Sequence, residues 1–165
     1  VLRRAKAFGL RLLGNDIKAI DREFTTEVGV EMVELDMLLK EADFISVNAD
    51  LNPTSRHLIN DMTLAQMKPG AIIINTARGP IIDEMALIAA LQNGKIAGAA
   101  LDVFEDEPIP VNSPLLKMDN VMLAPHNSNS SPAAWEKVHW NTIRNLLEGL
   151  GMPADDLEQW KNRLI

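Results

Sequence analysis

The chain has 165 residues, 47% hydrophobic and 24% charged, enough to build one domain with a substantial core. Its 16 basic residues against 23 acidic ones leave a formal charge of −7, which argues against a surface made for nucleic acid or an anionic membrane. With no cysteine there is no disulfide framework and no thiolate metal site, a composition that fits a reducing cytoplasm; no apolar run approaches a membrane span, and no signal peptide is visible.

Residues 1–8 read as the end of a helix stopped by Gly9, with Arg3, Arg4, Lys6 and Arg11 on a solvated basic face. Val1 falls inside that helix and no initiator Met precedes it, so the chain is expected to begin within a larger domain. Residues 10–13 form a short apolar strand that ends at Gly14-Asn15-Asp16. Between residues 25 and 42, Val28-Gly29-Val30 is a loop or brief strand, and Leu35, Leu38 and Leu39 recur at helical spacing. Residues 44–47 are a buried strand with a polar end, Asn48-Ala49-Asp50-Leu51-Asn52-Pro53. A short helix over 61–67 and a Pro69-Gly70 turn follow. His57, ahead of that helix, has nothing at catalytic spacing around it and reads as structural or solvent-exposed.

The stretch 75–108 organises the rest. An apolar run, 71–74, delivers Arg78 at its polar end; Asp83 caps a helix over 84–93 that Gly94 stops; a small-residue run, 97–101, delivers Asp102 and Glu107. In an open parallel sheet such strand ends face one crevice, so Arg78, Asp102 and Glu107 are expected to converge. A proline-rich loop, 108–114, leads to Leu115-Leu116 and a last strand, 121–124, which ends Pro125-His126-Asn127-Ser128-Asn129-Ser130. Ser131 and Pro132 open a helix expected to run to Glu148 and stop at Gly149, and 151–165 could add an amphipathic turn or two.

Asn75-Thr76-Ala77-Arg78-Gly79, followed by Gly98-Ala99-Ala100-Leu101-Asp102-Val103-Phe104 and then Glu107-Pro108, resembles the D-isomer-specific 2-hydroxyacid dehydrogenases, in particular their 3-phosphoglycerate dehydrogenase-like branch. The resemblance runs from the first helix to about Leu150. It implies an α/β fold with a doubly wound parallel sheet of the Rossmann type, NAD as cofactor, and a small 2-hydroxy or 2-oxo acid as substrate, such as 3-phosphoglycerate, glyoxylate or hydroxypyruvate. It also implies a homodimer. The Gly-x-Gly-x-x-Gly loop that should precede the first helix is not in the sequence. Residues 1–150 are therefore expected to form an NAD-binding domain truncated at its N-terminus, with two strand edges left unpaired, a tail over 151–165, and the substrate-binding domain largely absent.

The chemistry of a 2-hydroxy acid assigns the candidate residues. A guanidinium can hold a carboxylate by two parallel charge-assisted hydrogen bonds, which suits Arg78. A proton transferred near neutral pH calls for histidine. His139 lies inside the long last helix, whereas His126 stands at a strand end, where the resemblance makes it the proton donor and acceptor. From the cluster Glu105-Asp106-Glu107 the resemblance selects Glu107 to orient that imidazole and stabilise its charged form, leaving Glu105 and Asp106 as spectators. It further implies that Asp16 holds the adenine ribose and favours NAD over NADP, with Lys18 and Arg22 leaving room for NADP. Asn48 and Ala49 line the adenine side, although the family usually carries His and Pro where Asn48 and Asp50 stand. Thr76 and Ala77 contact the nicotinamide, Asp102 touches its carboxamide, and Arg78 and His126 face the same cofactor. Ser128 and Asn129 either contact substrate or cofactor or cap the last helix. No metal site is expected. The rival readings are a formate dehydrogenase, which the carboxylate of Glu107 argues against, an NAD-sensing corepressor-like protein on the same fold, and an inactive fragment.

Overall fold

In the computed structural model, residues 1–128 and 130–152 are described. They fall into two units that divide after His126. In the first unit, β1 (Leu12–Gly14) and β2 (Val30–Met32) form a two-stranded parallel sheet. The second sheet of this unit contains β3 (Phe44–Val47), β4 (Ile72–Asn75), β5 (Gly98–Leu101) and β6 (Val121–Leu123), all parallel, in that order. Val47 is level with Asn75, Asn75 with Leu101, and Leu101 with Leu123. Because every strand points the same way and ends at the same level, the segments that follow them emerge side by side at one edge. Among the described residues β1 pairs only with β2, and β3 only with β4.

Between the strands run α1 (Leu2–Ala7), α2 (Arg22–Val28), α3 (Leu35–Glu41), α4 (Asp61–Gln66) and α5 (Glu84–Gln92). The strand period of two sends Ile45, Val47, Ile73, Ala99 and Leu101 to one face, where they pack into a common core with Leu39, Leu64 and Leu87 of the helices. On the opposite face Phe44 and Met122 are exposed. α5 is deeply embedded, burying Ala86, Leu87, Ile88, Ala90 and Leu91. Its start is fixed by Asp83, whose side chain accepts the Ala86 N–H at 3.0 Å. At α4 the Asn60 and Thr63 side chains form a reciprocal capping box.

Three local expectations change. α2 is absent from the expected elements, yet its signals are present: Asp21 accepts the Glu23 N–H, and Gly29 closes the helix in the left-handed conformation at φ 71°. Leu10 lies outside β1 and is exposed, because the strand starts at Leu12 and includes Gly14. Two residues of the exposed basic cluster near the start are ion-paired: Arg3 grips Glu27 through two hydrogen bonds of 2.8 Å, and Arg11 bridges Glu31 and Glu41. These exposed pairs join α1 to α2 and β1 to β2 and α3, and each contributes little stability by itself.

The second unit begins at Asn127 and contains α6 (Pro132–Gly149), capped by Ser131, whose hydroxyl accepts the Ala134 N–H at 3.2 Å. The helix ends at Gly149, where it is expected to stop, with Leu150 as its C-cap. The left-handed residue that follows is Gly151, at φ 67°. Trp135 and His139 meet edge to face, with ring centroids 5.9 Å apart. The expected turns over 153–165, and the role considered for Asn129, lie outside the described residues. No helix among the described residues is long and apolar enough to cross a membrane.

Candidate active site

The turn that presents Arg78 is built by Asn75, the buried last residue of β4. Its carboxamide oxygen accepts the Ala77 N–H and its nitrogen donates to the Arg78 carbonyl, both at 3.0 Å. This side chain imitates a backbone turn and directs the chain sharply at the edge of the sheet. Arg78 leaves the turn exposed, one guanidinium nitrogen donating to the Ala77 carbonyl at 2.6 Å. Gly79 then passes so close to the neighbouring segment that a Cβ would lie 1.8 Å from the Phe104 carbonyl oxygen. The absence of a side chain is what lets the Arg78 segment lie against residues 104 and 105.

That neighbouring segment carries Glu107. One of its carboxylate oxygens accepts the Phe104 N–H at 3.0 Å, and the other lies 2.8 Å from His126 Nδ1. An ionised carboxylate has no proton to give, so Nδ1 is the donor, and Nε2 remains as the second, chemically available nitrogen. His126 follows β6, where the Ala124 N–H extends the ladder to the Leu101 carbonyl. Its φ of 54° is in the left-handed region, unusual for a residue with a side chain and frequent at functional sites. The His126 hydrogen bond holds the Glu107 carboxyl below its usual range; the Phe104 N–H and the charges of His126 and Arg78 act in the same direction, against a burial penalty. The close approach of Gly79 to Phe104 and Glu105 brings the Arg78 segment against the segment that carries Glu107.

Beside Arg78 the ends of β3 and β4 flank a cleft of about 420 Å³. Asn48, Ala49, Thr76, Ala77 and Arg78 all line it, together with Asp50 and Leu51. The lining exposes more polar than apolar surface, Asn48, Thr76 and Arg78 offering hydrogen-bond partners beside the apolar Ala49 and Leu51, and this mixed donor set fits a dinucleotide. Asn48 is turned back onto β3, its nitrogen donating to the Ser46 carbonyl at 2.9 Å. Three expected cofactor residues stand apart from this lining: His126, already placed after β6, and Asp16 and Asp102. Asp16 follows β1 of the other sheet, exposed, and accepts the Lys18 N–H at 2.8 Å. Asp102 is buried at the end of β5, its backbone N–H on the Asn75 carbonyl. Among the described residues no group of three or more His, Cys, Asp or Glu is placed to hold a metal ion.

Glu105 is engaged elsewhere. Its Oε1 lies 2.6 Å from His57 Nε2, and its Oε2 accepts the Glu84 N–H at the start of α5. The Glu105 N–H in turn donates to Glu84 Oε2 at 3.1 Å. Burial raises the Glu84 carboxyl above its usual range, the Glu105 N–H opposes the rise, and the charges of Glu105 and Asp106 add to it. His57 is thus half-buried and paired with Glu105. Its partner lies 48 positions away in the chain, beyond the reach of any local spacing rule.

Residues 1–128 match the sequence profile of the D-isomer specific 2-hydroxyacid dehydrogenase, NAD binding domain. A glyoxylate reductase of Korarchaeum cryptofilum is 47% identical over 148 residues, covering 89% of this chain and 44% of its own length. A D-3-phosphoglycerate dehydrogenase of Methanocaldococcus jannaschii is 49% identical over 135 residues, 81% of this chain and 25% of that protein. The solved NAD-complexed form of a D-isomer specific 2-hydroxyacid dehydrogenase from Lactobacillus delbrueckii ssp. bulgaricus superposes with a TM-score of 0.79 at 31% identity, covering 92% of this chain and 50% of that one. The chain spans less than half the length of these curated relatives. It belongs to the D-isomer specific 2-hydroxyacid dehydrogenase family, and residues 1–128 carry that family's NAD-binding domain.

Proposed function

We propose that the protein containing this chain transfers a hydride between NAD and a small D-2-hydroxy acid or its 2-oxo counterpart, with glyoxylate, hydroxypyruvate and the acid pair of 3-phosphoglycerate as the substrate class. The observation that carries the reading is the His126–Glu107 pair beside Arg78, at the edge of the sheet where the strand ends are level. Residues 1–150 act as the NAD-binding domain and 151–165 as a tail leading out of it. NAD, bound along the cleft by Asn48, Ala49, Thr76 and Ala77, with Asp16 on the adenine ribose and Asp102 toward the carboxamide, supplies or accepts the hydride.

The remaining work belongs to side chains of this chain. Arg78 binds the substrate carboxylate through paired charge-assisted hydrogen bonds and polarises the adjacent 2-oxo oxygen. His126 holds a proton on Nε2 and delivers it to that oxygen during reduction, or removes it from the hydroxyl during oxidation. Glu107, accepting from Nδ1, fixes the tautomer and orientation of the ring and leaves Nε2 as the nitrogen that exchanges the proton. The same reading includes a homodimer in the cytoplasm, on the family resemblance alone; sedimentation of the full-length protein at twice its monomer mass tests the first part.

The experiment is a steady-state assay of the full-length protein, following NADH oxidation with a panel of 2-oxo acids. The expected result is turnover with at least one short 2-oxo acid, together with a large rise in its KM on Arg78→Ala. NADH binding without turnover on any 2-oxo acid would favour a cofactor-sensing protein instead.

A further inference from the structure

Resting on that site reading, we propose that His57 and Glu105 form a clasp that positions the catalytic groups. Three segments meet there. Residues 57–59 are stitched to 80–83, just after Arg78: the His57 N–H donates to the Pro80 carbonyl, Ile59 to the Ile81 carbonyl, and Asp83 back to Ile59. An isolated parallel bridge joins Ile59 to Ile82. The His57 side chain then crosses to Glu105, two residues before Glu107, at 2.6 Å. Glu105 uses its second oxygen on the first N–H of α5. The His57–Glu105 pair therefore adds a side-chain tie, beside the Glu84–Glu105 hydrogen bonds, between the segment that presents Arg78 and the segment that presents Glu107.

Two features single out this pair from an ordinary surface contact. His57 adopts φ 50°, a conformation costly for a residue with a side chain, and it does so where its imidazole meets Glu105. The pair is also partly buried, the His57 and Glu105 side chains 37% and 25% exposed, so the interaction is screened less than at the open surface. The Glu105 carboxylate is held at both oxygens and its N–H is held by Glu84, so releasing His57 frees one of the restraints that set the path from Phe104 to Glu107. Glu107 must present its carboxylate to His126 in one orientation, and small displacements of such groups are expensive in rate.

The test uses near-isosteric variants of the full-length protein. His57→Gln keeps a nitrogen donor that can reach Glu105; His57→Met keeps the length and removes the donor. His57→Gly removes the side chain while suiting the positive φ, so it guards against a variant that does not fold. The expected result is a loss in kcat of about tenfold for His57→Met and His57→Gly, with KM for the 2-oxo acid and NADH affinity within about twofold of the parent, and His57→Gln close to the parent. A denaturation midpoint lowered in His57→Met with kcat unchanged would reduce the pair to a stabilising contact and overturn the proposal. So would an equal loss in His57→Gln, or a loss confined to NADH binding. Arg78→Ala and His126→Asn run alongside. If these two also keep full turnover, the site reading falls and the clasp with it; if they lose turnover while His57→Met and His57→Gly do not, only the clasp falls.

Discussion

Adding one carbon at Gly79 tests whether the close approach of the Arg78 and Glu107 segments is essential to the site. The Cβ of Gly79→Ala would sit 1.8 Å from the Phe104 carbonyl oxygen, 2.0 Å from its carbon and 2.6 Å from the Glu105 nitrogen. All three are backbone atoms, so no rotamer change relieves the clash. Reaching the 3.0 Å below which real Cβ contacts are essentially unknown requires the segments to part by about 1.2 Å at the closest atom. Overpacking of this kind costs about 1–3 kcal/mol, and a misplacement near 1 Å in a catalytic constellation can cost about 100-fold in rate. Gly79→Ala should therefore lower unfolding free energy by at least about 1 kcal/mol and kcat/KM by about 100-fold. Urea denaturation and steady-state kinetics on the full-length protein measure the two effects. A variant with parental stability and parental kcat/KM would refute the inference that these segments are held at contact distance by the absence of a side chain.

Other perturbations separate core, cap and charge. Leu87→Ala, in the wholly buried face of α5, should cost about 2–5 kcal/mol in denaturant unfolding, because the cavity lies in a tightly packed core. Asp83→Ala removes the α5 cap and should cost about 1 kcal/mol, with Asp83→Asn retaining most of it. The Glu107 carboxyl is held below its unfolded value near 4.3, so its contribution is present above that pH and fades as pH falls through the lower folded value. Since the side chain is 37% exposed, the effect should stay under about 1 kcal/mol, and the stability difference between the parent and Glu107→Gln should shrink below about pH 4.

The features legible in the sequence are those with local causes. The apolar runs before Arg78 and Glu107, the Asp83 cap with Gly94 after the helix, and the Ser131-Pro132 helix start all appear in the structure close to their expected places. The α2 helix had equally local signals in Asp21 and Gly29, but its short apolar face, with Val28 as its buried residue, gives a weak periodicity. The features that stay hidden are set by register and long-range pairing. Nothing near Glu105 in the chain points to His57, and a glycine's need for close approach is visible only once Phe104 is beside it. Asn75 illustrates the middle case: an asparagine at a strand end suggests a turn, but its two bonds to Ala77 and Arg78 explain why this arginine is presented there.

The most direct test of the central claim is the effect of His126→Asn on single-turnover reduction of a 2-oxo acid by the full-length protein loaded with NADH. The account predicts a fall of about 100- to 10,000-fold in the rate of NADH oxidation, with NADH affinity essentially unchanged, since His126 is assigned the proton and the cleft residues the cofactor. A variant that oxidises NADH at the parental rate would contradict the assignment of the proton to His126 and, with it, the reading of the His126–Glu107 pair as the catalytic centre.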